Sequence, residues 1–463
     1  MERTSNAKAG LFVTEDGQRL AFTFGLVCTL FFLWAMCNGM IDVMDKHFQE
    51  ELHLSKSQSA WVQFAHYLGY FLMSMPAGIL ASKLGYKRGI IMGLVIVALG
   101  GFWFVPATWI NSQVHLGTVS ATTAFVGFLA GVCLIATGLT FLETIANPYT
   151  TVLGGERYAA TRINLAQSCN GLGWIFGPPL GGIFFYSKDA AGNSTGSQTL
   201  YIPYVALAIG ALLIAVVFYF ANVPDIKMKD QYKVEDTGAA TALSVWSHKH
   251  FSMAVAAQFF YVAAQAGIFS FFINYMTAET PALPASLASG GFASWFETSK
   301  AGILALSDKG AANLASLAFG CFLAGRISGS WLLKKYSAHT VLGIYGVANV
   351  VACLLVFLKL GWFSVVCVFV SYFFMSIMFP TIFALGIYGL GARAKKASAF
   401  IVMAIMGGAI LPKLMGYVAD VYDMSRGFIV PMFCFIFVAW YGFQWPKLSG
   451  ADSLHGAEVK AGH

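Results

Sequence analysis

Phe141-Leu142-Glu143-Thr144-Ile145-Ala146-Asn147-Pro148-Tyr149 closes an apolar run that begins near Ala121 and is long enough to cross a bilayer. Glu143 lies inside the run, not at its edge. A carboxyl at such depth costs about 2.5–3.5 kcal/mol on insertion scales and by default marks a functional site. Asn147 follows one helical turn later on the same face. Pro148 lacks an N–H and crowds the preceding turn, so the helix is expected to stop or kink there. One other carboxyl reads as equally deep: Asp42, in the first apolar run. Two acids in an otherwise uncharged membrane domain point to proton handling; the plainer alternative is a pair of structural, hydrogen-bonded acids.

Outward from that stretch, the whole chain reads as membrane protein. Of its 463 residues 58% are hydrophobic and 11% charged, against about 25% charged in average globular chains. Mean hydropathy is +0.69. The apolar runs are continuous, where a transmembrane barrel would alternate apolar and polar residues. The net charge of +7 comes from basic residues gathered in short loops, so nucleic acid is not an expected partner. The eight cysteines all fall in apolar runs, without Cys-x-x-Cys or His/Cys clusters; neither a metal site nor a disulfide framework is expected. The polar first twenty residues and the length of the first apolar run argue against a cleaved signal.

An apolar window finds twelve spans: roughly 20–44, 60–82, 88–107, 121–147, 161–186, 201–222, 250–277, 309–333, 338–358, 362–389, 397–419 and 427–446. The expected class is an all-α membrane protein of twelve transmembrane helices in two six-helix halves. The N-tail covers 1–19, the first half 20–222, a polar linker 223–249, the second half 250–446 and the C-tail 447–463. Basic residues crowd the N-tail, the even loops and the linker, with few in the odd loops, which puts both termini in the cytoplasm.

The halves echo each other. Gly78-Ile-Leu-Ala-Ser-Lys83-Leu-Gly85-Tyr-Lys87-Arg88 follows the second span, and Gly325-Arg326-Ile-Ser-Gly329-Ser-Trp-Leu-Leu-Lys334-Lys335 follows the eighth. Both are small-residue helix ends running into a basic turn, read as a cytoplasmic gating motif. Their matching positions indicate duplicated transporter architecture.

At this point the chain resembles the major facilitator superfamily, and within it the fucose:proton symporter family that includes bacterial glucose/galactose transporters. The resemblance rests on Phe31-Phe-Leu-Trp34, Glu143-Thr-Ile-Ala-Asn147-Pro148-Tyr-Thr-Thr-Val-Leu-Gly154, Asn164-Leu-Ala-Gln167-Ser-Cys-Asn170-Gly171, Tyr261-Val-Ala-Ala-Gln265, Phe379-Pro380-Thr-Ile-Phe-Ala-Leu-Gly386 and Gly407-Gly-Ala-Ile-Leu-Pro412. It implies a central cavity opening alternately to each side, monosaccharide substrates and proton coupling, with the proton gradient as energy source and no cofactor. It also implies a multi-pass protein of the bacterial inner membrane working as a monomer. By motif match, Asp42 and Glu143 take the places of the family's two essential acids. The chain departs from the pattern at Ile41, where the family commonly has Asn, and at Lys413, where neutral residues are usual.

A sugar needs amides, hydroxyls and an aromatic platform. Trp34, Asn38 and Asp42 recur at i, i+4 and i+8, so one helix face carries ring, amide and acid. Gln167 and Asn170 lie three apart and point together; Asn164 sits nearer the cytoplasmic end. Tyr261 and Gln265 share a face, with Asn274 nine residues on; Gln63 with His66 is a weaker pair. The expected sugar contacts are therefore Trp34, Asn38, Glu143, Asn147, Gln167, Asn170, Tyr261, Gln265 and Asn274. Lys413 can snorkel to the interface, pair with a cavity acid, or bind an anionic substrate group. The segment from Ser294 to Leu306 is expected to form a short interfacial helix over the cavity. Sodium coupling, uncoupled transport and a non-transporting sugar sensor remain alternatives. A membrane enzyme is not expected, since no nucleophile–base set is visible.

Overall fold

The computed structural model describes residues 10–14, 17–154, 159–187, 196–224, 245–282, 295–298, 304–388, 390 and 394–450. In the first half, α1 (Ala21–Glu51) turns through α2 (Lys56–Ser59) into α3 (Trp61–His115), followed by α4 (Ala121–Val152), α5 (Ala159–Phe185), α6 (Gly196–Thr199) and α7 (Tyr201–Phe220). The second half has α8 (Lys249–Ser270), α9 (Phe272–Glu279), strands β1 (Phe296–Thr298) and β2 (Leu304–Leu306), α10 (Asp308–Lys335), α11 (Ala338–Phe357), α12 (Trp362–Met375), α13 (Met378–Ile387), α14 (Ala394–Met403), α15 (Gly407–Val421), α16 (Met424–Gly427) and α17 (Ile429–Ser449).

Local chemistry sets the boundaries. Ser55 starts α2 with a capping box: its hydroxyl accepts from Gln58 N at 3.1 Å, and Gln58 Oε1 accepts from Ser55 N at 2.9 Å. Ser120 caps α4 and Ser307 caps α10 in the same way through one side chain each. Gly85 breaks α3 with φ 80° and ψ 171°, a conformation that glycine adopts without steric cost. The expected second and third spans are thus the two arms of one bent element.

Several helix ends differ from those expected. The first span runs to Glu51, seven residues past its expected end, because its outer turns pack against the second half. The seventh breaks at Phe271 and the tenth at Ser376–Ile377, and the eleventh passes through a tight 3-10 turn at Ala404–Met406. Pro148 neither stops nor ends α4, which continues to Val152. Polar side chains supply donors around the missing N–H: Asn147 Nδ2 donates to Glu143 O at 3.0 Å and Thr150 Oγ1 to Asn147 O at 2.7 Å. The expected interfacial helix is instead an antiparallel pair, Phe296 opposite Leu306 and Thr298 opposite Leu304; residues 283–294 and 299–303 of that loop lie outside the described set.

Ten stretches among the described residues are long and apolar enough to cross a membrane. The arm of α3 before Gly85 and α5 complete the expected twelve; they carry Gln63, His66, Gln167 and Asn170, which lower their hydropathy. The perimeter exposes Leu99, Trp109, Leu213 and Phe220, a surface suited to lipid and costly in water. Within the first half α3 packs on α4 and α7, and α1 on α5; within the second, α11 packs on α17 and α12, and α8 on α13, α15 and α17. The seam between halves joins α10 to α5 and α15 to α2 and α3.

Without a hydrophobic drive between helices in lipid, small residues set how closely they approach. At Gly138 on α4 an added Cβ would stand 2.5 Å from Val97 N and 2.8 Å from Gly93 O of α3. Gly138→Val is therefore expected to destabilise the fold by about 1–3 kcal/mol, read as a lowered melting temperature of the detergent-solubilised protein.

Candidate functional site

Both sequence-selected acids lie inside the bundle. Asp42 is 8% exposed, and its Oδ1 accepts from Gln63 Nε2 of α3 at 3.1 Å. Its Oδ2 is buried without a partner. Glu143 is partly exposed, with Tyr70 of α3 as its neighbour. Tyr67 has Asp42, Glu143 and Tyr261 as electrostatic neighbours, and Tyr372 of α12 faces Asp42 from the second half. Around this centre Asn38 Oδ1, His66 Nδ1 and Tyr372 Oη are also buried and unpartnered. Buried polar atoms normally find partners, and a concentration of orphans calls for an account such as a bound polar ligand.

A second set of contacts crosses the seam. Asn147 Oδ1 accepts from Gln167 Nε2 at 3.2 Å, and Gln167 Oε1 accepts from Arg326 Nη1 at 3.4 Å. Arg326 Nε reaches Ser376 O at 3.4 Å, at the break in the tenth span, and its guanidinium lies 5.1 Å over the Phe322 ring. The row runs from Glu143's own helix through α5 into α10. Arg326, part of the basic motif after the eighth span, lies within α10 (Asp308–Lys335), nine residues before its end and beside the site.

The other expected contacts divide. Trp34 is buried 4.9 Å from Phe31, and Asn38 is half-buried on the same face. Asn170 donates to Phe31 O of α1 at 3.3 Å, a helix-to-helix bond. Tyr261 is fully buried and donates to Met375 O at 2.9 Å. Gln265 is half-buried. Asn274 bonds to the end of α1: its Nδ2 donates to Gln49 Oε1 at 2.5 Å, tying α9 to the last turns of that helix. The side chain of Asn164 lies outside the described residues.

In the basic motif, Lys87 Nζ donates to Ala221 O at the end of α7 at 2.8 Å, Arg88 is exposed, and Lys335 lies 5.8 Å over the Tyr336 ring. Gly325 sits against the backbone of Phe373, where a Cβ would overlap its carbonyl oxygen. For Gly78, Lys83 and Lys334 only the helical backbone is described.

At the α2 end of the bundle the halves are latched. Asp420 of α15 accepts from Lys56 N at 3.0 Å and Ser57 N at 2.8 Å, and lies 3.7 Å from Lys56 Nζ. Lys46 reaches Glu50 at 3.2 Å and Asp308 of α10 at 3.8 Å. Gln49 Nε2 also donates to Ser59 Oγ at 2.8 Å. Lys413 makes a contact that was not among its three expected alternatives: its Nζ lies 3.7 Å from the Trp61 ring centroid across the seam. Nearby, Lys359 bridges Glu279 at 3.3 Å and Asp423 at 3.1 Å. Burial opposes its charge, but the Asp423 and Glu279 carboxylates outweigh that and hold its ammonium above the ordinary lysine value. That bridge is lost only as pH rises through the raised value, so it is intact across the neutral range.

Sequence reasoning missed Asp45, Tyr67, Tyr372 and the inward position of Arg326. Asp45 had a signal: it extends the Asn38, Asp42 face by one more turn. The tyrosines had none, being single aromatics in aromatic-rich runs. Among the described residues no group of three His, Cys, Asp or Glu side chains is set to hold a metal.

The fold and the buried acids define a polytopic solute carrier. Residues 23–412 match the model of the Major Facilitator Superfamily, and the chain belongs to that family, whose members are transporters and not enzymes. Among curated proteins it is 34% identical over 430 residues to the L-fucose-proton symporter of Escherichia coli, covering 89% of this chain and 90% of that protein. It is 28% identical over 431 residues to a glucose/galactose transporter of Brucella abortus, covering 93% and 95%. Among solved structures, the transporter FucP in its outward conformation is 31% identical, with a TM-score of 0.63 over 92% of this chain and 99% of that one. An inward-facing bacterial homologue of the lysosomal transporter Spinster, 14% identical, shares the fold with a TM-score of 0.68 over 94% of this chain and 99% of that one.

Proposed function

We propose that this protein imports a monosaccharide of the hexose or deoxyhexose class together with protons by alternating access. The observation that supports the reading is the burial of Asp42 in α1 beside Gln63, among buried polar atoms that lack partners, with Glu143 facing Tyr70 inside the same half. Relatives named as fucose-proton and glucose/galactose transporters support the substrate class.

In this reading the sugar displaces the direct Gln167–Arg326 contact and lies beside Glu143, Asn147, Gln167 and Arg326, with Trp34 and Asn38 completing the polar and aromatic lining. Asp42 binds and releases the coupling proton; Glu143 joins proton sensing to a hydrogen bond with a sugar hydroxyl. An acid in an apolar wall crosses between states at least cost when it carries its proton. Coupling requires the sugar to bind more tightly when the acid is protonated. The basic-loop distribution sets the termini in the cytoplasm and the α2 end outside, so the latched state has its outer side shut. The linker, the two halves and a monomeric carrier in the inner membrane complete the proposal.

The test is transport in proteoliposomes with L-fucose, D-glucose and D-galactose supplied separately at two external pH values. At least one sugar should drive proton entry and accumulate more at the lower pH. Uptake that follows sodium, or that is indifferent to both ions, overturns the coupling; no uptake of any sugar overturns the substrate class.

A further inference from the structure

α1 carries Asn38, Asp42, Asp45 and Gln49 at intervals of four, three and four, which stacks them in one stripe. The first two belong to the site described above, and Gln49 belongs to the latch. Asp45 belongs to neither. It is 0% exposed, and both of its carboxyl oxygens are buried without a hydrogen-bond partner. It stands one turn from Asp42, whose Oδ2 is equally orphaned.

The groups facing it come from three helices and from the bend after α5. Asp42 is on its own helix, Gln63 on α3 and Ser270 at the end of α8, just before the break at Phe271. Tyr186, beyond the end of α5, is a further electrostatic neighbour; its hydroxyl donates to Val43 O at 2.8 Å. Gln63 Nε2 donates to Asp42 Oδ1 and the Ser270 hydroxyl to Ala266 O at 2.7 Å; both stand beside Asp45, and Gln63 keeps a second amide hydrogen for it, but neither is bonded to it in this geometry. The adjacent cation, Lys46, is taken by Glu50 and Asp308. A buried carboxylate with no donor and no cation is very costly, and a proton on it removes the charge.

We propose that Asp45 is a second proton-carrying carboxyl, exchanging its proton with Asp42 and occluded from the α2 end by the Gln49–Asn274 bond. The step breaks one O–H bond at Asp45 and makes one at the Asp42 carboxylate; Gln63, already bonded to Asp42, steadies the acceptor. Ser270 brings the second half to within reach of the same pair, so rocking of the halves changes what surrounds Asp45. The inference deepens the reading of Asp42 as proton carrier and rests on it.

The experiment is infrared difference spectroscopy of protonated carboxyls in the lipid-reconstituted protein, recorded over a pH series without any sugar. Asp45→Asn should lose one titrating carboxyl band, and Asp45→Glu should keep a band at a displaced frequency. Spectra of both variants that superimpose on those of the parent overturn the proposal. Should Asp45→Asn fail to fold, the displaced band in Asp45→Glu decides by itself: present, it supports the proposal; absent, it overturns it. Asp42→Asn reports on the underlying reading separately, because its own band and sugar accumulation are lost whatever Asp45 does.

Discussion

Asp42→Asn abolishes accumulation of sugar against a gradient while exchange of labelled for unlabelled sugar continues. The expected loss is large because accumulation draws on the whole coupling free energy, about 1–3 kcal/mol or a factor of about 5–150. The asparagine keeps the shape of the side chain and can still meet Gln63, whose amide lies 3.1 Å from Asp42 Oδ1, so folding is preserved while the titratable group is gone. Glu143→Gln should lose accumulation to a similar degree, with weaker sugar binding added, since it stands beside the Asn147–Gln167–Arg326 row. Proton-driven uptake and counterflow, measured on the same vesicles, separate the two effects. A variant of either acid that accumulates sugar as the parent does removes that residue from the mechanism.

Asp420→Ala opens the α2 end. This one carboxylate accepts two backbone N–H groups of the α1–α2 corner and faces the Lys56 ammonium. Hydrogen bonds to a charged group contribute about 1.5–3 kcal/mol each, so losing even one moves the balance between closed and open forms by about tenfold or more. The remaining links, Lys46 to Asp308, Gln49 to Asn274 and Lys413 over Trp61, hold less rigidly. A cysteine introduced at Ser59, which is fully buried in the closed form, should react with a water-soluble thiol reagent at least ten times faster in the Asp420→Ala background. Equal rates in the two backgrounds would show that the latch does not set the equilibrium.

The sequence made the class and the two acids legible because burial in a membrane leaves so few charges that each one stands out. It failed where the partner of a residue is another helix and not lipid. By hydropathy the first apolar run ends near residue 44, which leaves Asp45 and Gln49 in a loop. Hydropathy measures affinity for oil and cannot see that α8 and α9 cover those turns. Arg326 was drawn to the basic turn by its neighbours Lys334 and Lys335, although it lies two and a half turns earlier on the same helix. Asn274 looked like a sugar contact because amides do either job; only the position of Gln49 225 residues away assigns it to the latch. Pro148 reads as a stop or kink, yet α4 runs four residues beyond it to Val152.

Lys413 and Trp61 differ in kind from the other fastenings of their end. A donor aimed at a carboxylate oxygen tolerates little misdirection, so Lys56 N and Ser57 N must return to register with Asp420 each time the carrier resets. An ammonium above an indole face keeps most of its attraction while it slides or turns over the ring. Such a contact acts as a bearing: it can guide the two surfaces back together before the directional bonds re-form, and spare the cycle a search for alignment at every turnover.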